Sequence, residues 1–132
     1  MGEVIAVLFG LIVGVIVLGY AYLVYREIKS LPEGNDTMKE ISASIHEGAM
    51  VFLKREYRII GIFVIIVFIL LGFFIGWKAA IAYLGGAICS VLAGFFGMKA
   101  ATKANVRTAQ AAATEGQGKA LAVAFKGGNV MG

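Results

Sequence analysis

The sequence predicts an all-α membrane protein, polytopic, with its helices crossing the bilayer one after another. Three observations predict it. Of the 132 residues, 60% are hydrophobic and only 15% charged, an average too apolar for a soluble domain of this size. Three stretches, residues 4–25, 59–77 and 79–98, hold no Asp, Glu, His, Lys or Arg, and each approaches or exceeds the roughly 20 residues that span a bilayer at about 1.5 Å apiece. The basic residues, finally, are segregated: Arg26, Lys29, Lys39, Lys54, Arg55 and Arg58 fall between spans one and two, Lys99, Lys103, Arg107, Lys119 and Lys126 follow span three, and Lys78 alone lies between spans two and three. By the positive-inside rule this puts the N-terminus outside and segments 26–58 and 99–126 in the cytoplasm of a multi-pass cell-membrane protein. The net charge of +4 is therefore a topological signal and not a nucleic-acid surface.

The first span follows a single acid, Glu3, has no basic n-region and ends without an A-x-A cleavage site, so it reads as retained and not as a signal peptide. Gly10-x-x-x-Gly14, with Ala21 two turns on, offers one close-approach face. The run Leu31-Pro32-Glu33-Gly34-Asn35-Asp36 then stops any helix. Thr37-x-x-Glu40 has capping-box form, and Met38, Ile41, Ile45, Ala49 and Phe52 follow at helical spacing. One long helix is expected over about 37–77, its first half amphipathic and docked on the bundle's own cytoplasmic face, because acids interleave with its basic residues. Its second half holds 15 Ile, Leu, Val or Phe among 19 residues, worth roughly −5 to −9 kcal/mol of insertion.

Trp77 and Lys78 alone separate spans two and three, which requires a tight antiparallel hairpin with Trp77 at the interface. The third span differs in kind: 11 of its 20 residues are Ala, Gly, Ser or Cys. Ala82, Gly86, Ser90 and Gly94 recur every four residues, a stripe suited to tight packing against another helix. Cys89 lies among these small residues and reads as a packing residue. Beyond it an Ala-rich helix continues through Thr114, Gly116 and Gly118 are expected to break it, residues 119–125 to form a short helix, and a fourth span to begin near residue 127.

No residue in this pattern carries chemistry. Asn35-Asp36-Thr37 matches the glycosylation sequon but is placed inside the cell, so it reads as a turn. Gly118-Lys119 has a P-loop ending without its first glycine, replaced by Ala113, or its hydroxyl, replaced by Ala120. The single histidine, His46, has no ligating neighbour and reads as a satisfied helix residue. Glu40 and Glu47 share a helix face and read as partners of Lys39 or Lys54 more readily than as a cation site. No catalytic, cofactor-binding or metal-ligating residue is assigned. Because the spans contain no ionisable group, any ion path lies outside them.

Two long segments carry a resemblance. Residues 32–58, PEGNDTMKEISASIHEGAMVFLKREYR, and residues 97–132, GMKAATKANVRTAQAAATEGQGKALAVAFKGGNVMG, resemble the membrane-bound, ion-translocating inorganic pyrophosphatases, on both sides of correctly spaced spans. The resemblance implies the N-terminal piece of a pump, outer-ring helices one to three and the start of helix four. The intact protein would be a homodimer of about sixteen helices per subunit, hydrolysing cytoplasmic pyrophosphate with Mg²⁺, in K⁺-dependent or K⁺-independent form, and moving H⁺ or Na⁺ outward. The family's acidic motifs lie beyond residue 132, so this piece alone is expected to be inactive. The rival reading is a complete small non-catalytic membrane scaffold or assembly subunit; the abrupt end after Gly127-Gly128, with no polar tail, counts against it. A rotor-type proteolipid lacks its mid-helix carboxylate here.

Overall fold

The computed structural model describes residues 1–132 as four helices, α1 (Gly2–Ser30), α2 (Asp36–Phe74), α3 (Trp77–Thr114) and α4 (Gln117–Asn129). From Met1 through Tyr20 every residue of α1 is exposed, including Phe9, Leu11 and Ile16. A helix apolar on all sides and bare on all sides needs an apolar surround, from lipid or from other helices. Only its last turns pack, where Val24 and Ile28 meet Ala104 and Val130. α1 touches α3 and α4 and stays clear of α2.

Pro32 ends α1, since its ring fixes φ and disfavours helical geometry at Leu31, which is extended at φ −72, ψ 150. The next helix starts earlier than the capping-box pattern suggests. Asn35 is the N-cap, extended at φ −76, ψ 176, and its side chain accepts from the Met38 N–H at 2.9 Å. Asparagine is among the strongest N-caps, so the Thr37 pattern is overridden by a better cap two residues upstream. α2 then runs 39 residues without a break, about 58 Å at 1.5 Å per residue, long enough to carry both a polar segment and a bilayer crossing.

α2 ends at Phe74, three residues short of the expected boundary, and Trp77 opens α3 instead of forming the turn. The turn is Ile75-Gly76, with Gly76 at φ +132, a conformation closed to residues with a Cβ. Trp77 folds back over Gly72, where a Cβ would lie 2.7 Å from the indole, and sits 6.0 and 6.1 Å from the Phe68 and Phe73 ring centroids. The hairpin tip is thus an aromatic cluster closed on a glycine.

α3 carries 38 residues through the third span and beyond it. Gly116, at φ +92, reverses the chain, whereas Gly118 lies inside α4 and breaks nothing. α4 returns antiparallel along α3: Ala120 and Val123 pack on Ala111, Gly127 on Ala104, and Met131 on Gly97. α4 runs through Asn129, with Gly127 at Ala104 and Met131 at Gly97, the inner edge of the third span. The buried side chains gather at this end, among them Ala100, Thr102, Ala104, Val106, Arg107 and Ala111 of α3. The apolar windows of the three long helices are 0%, 6% and 6% buried. The protein core therefore sits beyond the spans, and the spans await neighbours or lipid.

Candidate functional site

The most densely bonded polar group is Arg107, a lone cation in the run Ala104-Asn105-Val106-Arg107-Thr108-Ala109. Its small helical neighbours leave room for the side chain to lie down across α3 and reach the end of α1. Its side chain is 4% exposed. Nε donates to the Leu31 carbonyl at 3.0 Å, Nη1 to the Lys103 carbonyl at 2.9 Å, and Nη2 to the Lys29 carbonyl at 3.2 Å and to Glu33 Oε1 at 2.6 Å.

These partners follow from how α1 ends. The last carbonyls of a helix have no intrahelical donor, and the negative end of its dipole favours a cation. The Leu31 amide turns back onto the Ile28 carbonyl at 3.1 Å, but Pro32 has no N–H to continue the pattern, so the Lys29 and Leu31 carbonyls take their donor from elsewhere. Arg107 fills that role from a helix 76 residues away in sequence, and its planar fork reaches acceptors that a single ammonium does not. The buried charge is tolerable because carbonyls and a carboxylate surround it. No buried side-chain polar atom of the chain lacks a partner.

A second contact supports the same junction: Lys126 of α4 pairs with Glu27 of α1. Both are substantially exposed, so this pair adds little by itself. Across α2 and α3 two polar pins recur. Thr102 Oγ1 lies 3.2 Å from the Lys99 carbonyl, to which it can donate, and is hydrogen-bonded to His46 Nδ1 at 3.0 Å, with the direction set by the imidazole tautomer. Tyr57 donates to the Val91 carbonyl at 2.9 Å. Burial, and then the neighbouring Glu56 charge, raise the Tyr57 hydroxyl above its ordinary value of 10.0. The shift favours the protonated phenol, the form that donates this bond.

His46 is thus a satisfied helix residue, as its isolation in the sequence suggested. Glu40 and Glu47 are placed differently from expectation. Neither forms an ion pair; the pairs present are Lys39 with Asp36, Arg107 with Glu33, Lys119 with Glu115 and Lys126 with Glu27. Lys39 turns to Asp36 because Asp36, one turn away on the helix, is nearer than a residue it must reach past its own backbone. Cys89 is a free, exposed cysteine. No three His, Cys, Asp or Glu side chains converge on a point where a metal ion would sit. Sequence reasoning counted Arg107 only among the basic residues that set the topology. Two signals point to its actual place: a helix ending in Leu-Pro without a capping glycine, and one arginine embedded among alanines.

The model of the inorganic H⁺ pyrophosphatase family matches residues 15–132, which takes in both ends of the Arg107 clasp and all of α2, α3 and α4. The chain belongs to that family. Among its relatives, a K⁺-stimulated pyrophosphate-energized sodium pump of Thermotoga maritima is 46% identical over 97% of this chain and 18% of its own length. A K⁺-insensitive pyrophosphate-energized proton pump of Methanosarcina mazei is 44% identical over 90% of this chain and 18% of its own. A Clostridium tetani protein, provisionally named a K⁺-stimulated pyrophosphate-energized sodium pump, is 48% identical over 96% of this chain and 19% of its own. The chain thus spans about a fifth of the length of these relatives. As a pyrophosphatase-family segment it contributes membrane helices and a clasped polar junction, and the junction's bonds position chain segments without offering a reactive group.

Proposed function

We propose that the chain is a supporting section of a pyrophosphate-energised primary ion pump, in which hydrolysis of cytoplasmic pyrophosphate drives H⁺ or Na⁺ across the membrane. The observation that carries this is the family match over residues 15–132, joined to relatives named as pumps that are some five times longer. Within that pump the three long helices are wall and not pathway, since spans 4–25, 59–77 and 79–98 hold no Asp, Glu, His, Lys or Arg to carry an ion through hydrocarbon. The Arg107 clasp fixes the loop after α1 to α3 and so sets how α1 leaves the bundle.

Sodium and proton pumps match this segment at 46% and 44% identity. Overall identity to this segment thus does not distinguish the two ions or the need for K⁺. The family's chemistry implies Mg²⁺, which is bound through well-placed carboxylates. The residues of this chain do not fit it: no acidic trio converges, Glu33 is committed to Arg107 and Glu27 to Lys126. Metal and pyrophosphate belong to later segments of the polypeptide, and the assembled pump is a homodimer.

In orientation, Asn35 and Gln117 face the cytoplasm with the 11 basic residues of segments 26–58 and 99–126, while the hairpin tip at Trp77-Lys78 faces outward. The experiment that tests the reading reconstitutes the full-length protein in sealed vesicles. Pyrophosphate added to the cytoplasmic face should drive H⁺ or Na⁺ to the other side. Intact, correctly inserted protein that hydrolyses none and moves neither ion would sink the proposal.

A further inference from the structure

Three cations of α2, Lys54, Arg55 and Arg58, are exposed and enter none of the chain's ion pairs. At 3.6 residues per turn they share an arc of about 100° on the helix. Leu53, Tyr57, Ile60 and Val64 occupy the opposite side, towards α3, and α1 stays clear of α2. We propose that this arc binds the headgroup of an anionic phospholipid in the leaflet away from the hairpin tip, with the acyl chains lying along the isoleucines that follow. This requires α2 to cross a bilayer and nothing of the pump's chemistry.

Depth along the helix fits a headgroup. Counted from the turn at Ile75, Lys54, Arg55 and Arg58 lie about 32, 30 and 26 Å along α2 at 1.5 Å per residue, which brackets the roughly 30 Å thickness of the hydrocarbon core. Arg58 therefore extends its guanidinium outward from the edge of the apolar layer. An unpaired cation at that level is costly, and no carboxylate of this chain meets it. Glu56 is turned towards α3, and Glu40 and Glu47 lie more than about 40 Å from the turn, out in water. A lipid phosphate is the anion present at the right level, and two planar guanidinium groups suit its oxygens. In a zwitterionic headgroup the ammonium cancels the phosphate charge, so the cluster favours a lipid of net negative charge. The arc then continues through Ile62, Ile65, Ile66 and Ile69, all exposed. Branched aliphatic side chains meet acyl chains without a fitted partner, whereas close helix seams are made of small residues, which here stand on α3 at Gly86, Ser90 and Gly94. Cations and then isoleucines along one face repeat the order of headgroup and chain in a phospholipid.

The test uses the full-length protein with its cysteines removed, Cys89→Ala included, and a bimane fluorophore on Ile62→Cys, one turn from Arg58. It is reconstituted in vesicles of phosphatidylcholine and phosphatidylglycerol in varied ratio, with one of the two lipids brominated to quench the fluorophore. Phosphatidylglycerol should be preferred at this position by about fivefold, the factor for one cation at an anionic surface. The triple variant Lys54→Gln, Arg55→Gln, Arg58→Gln should lose the preference while brominated phosphatidylcholine still quenches, which shows that the face remains in lipid. Arg55→Lys with Arg58→Lys should retain most of it. Lys39→Gln, about 54 Å from the turn and beyond the ~8 Å screening length from the cluster, should retain all of it. No preference in the parent, or a preference untouched by the triple substitution, overturns the proposal. Absence of quenching by either brominated lipid also overturns it, because the arc is then covered by another part of the protein. Inorganic phosphate or pyrophosphate added at constant ionic strength should leave the preference unchanged; its loss would assign the cations to a soluble phosphate and overturn the lipid site.

Discussion

Removing the Arg107 side chain should open the junction between α1 and α3 locally, and the size of the effect follows from what it leaves behind. Arg107→Ala deletes four hydrogen bonds, at 3.0, 2.9, 3.2 and 2.6 Å. The Lys103 carbonyl keeps its helical donor, so its loss is small. The Leu31 and Lys29 carbonyls lose a charged donor at a junction whose arginine is 4% exposed, and each costs about 1–3 kcal/mol unless water replaces the guanidinium. Glu33, 43% exposed, rehydrates and adds little. A total near 3 kcal/mol follows, at the low end of the range for breaking a buried pair from one side. That corresponds to about a hundredfold increase in the open population, which limited proteolysis reads when opening is fast relative to cleavage. Trypsin cleavage after Lys29 in the full-length protein should accelerate by about that factor. Arg107→Lys should fall between, because one ammonium reaches some acceptors and not the whole set. Glu33→Gln keeps an acceptor and should change cleavage by less than about tenfold. Unchanged cleavage in Arg107→Ala, or an equal effect from Glu33→Gln, would refute the clasp.

Asn35→Ala removes the α2 cap and should destabilise the start of that helix by about 1 kcal/mol, seen as faster amide exchange over residues 36–39, while Thr37→Ala leaves exchange there nearly unchanged; the reverse order would restore the capping-box reading. Gly72→Ala places a methyl 2.7 Å from the Trp77 ring and should lower the unfolding temperature through overpacking worth about 1–3 kcal/mol, an effect that Trp77→Leu relieves and that persists in the double variant if the contact is irrelevant. In a Cys89→Ala background, cysteines at 35 and 117 should react with an impermeant thiol reagent only from the cytoplasmic face and cysteine at 78 only from outside. Reaction of position 35 from outside would invert the topology.

Much of the architecture is written in the sequence because the bilayer constrains it so strongly. Unbroken apolar runs of span length, a proline after Leu31 and a two-residue gap at the hairpin leave few alternatives to long helices in this order. Boundaries were less legible where two local signals compete. Asn35 and the Thr37-x-x-Glu40 box both specify a helix start, and the stronger cap lies upstream; Gly116 and Gly118 both disfavour helix, and only Gly116 occupies positive φ. The Arg107 clasp was hidden for a different reason. It joins residues 74 to 78 positions apart, and the periodicity of one helix contains no record of which distant carbonyls lack donors. The small residues alone likewise say only that something approaches Gly94 and Gly97; the structure shows what, the Tyr57 hydroxyl of α2 at the first and Met131 after α4 at the second.

The central claim is that this segment supports a pump whose chemistry resides elsewhere in the polypeptide. Phosphate release from pyrophosphate, measured side by side for the purified 132-residue chain and the full-length protein in Mg²⁺ and K⁺, tests it most directly. The full-length protein should turn over and the 132-residue chain should match a buffer blank; metal-dependent turnover by the 132-residue chain itself would contradict the account.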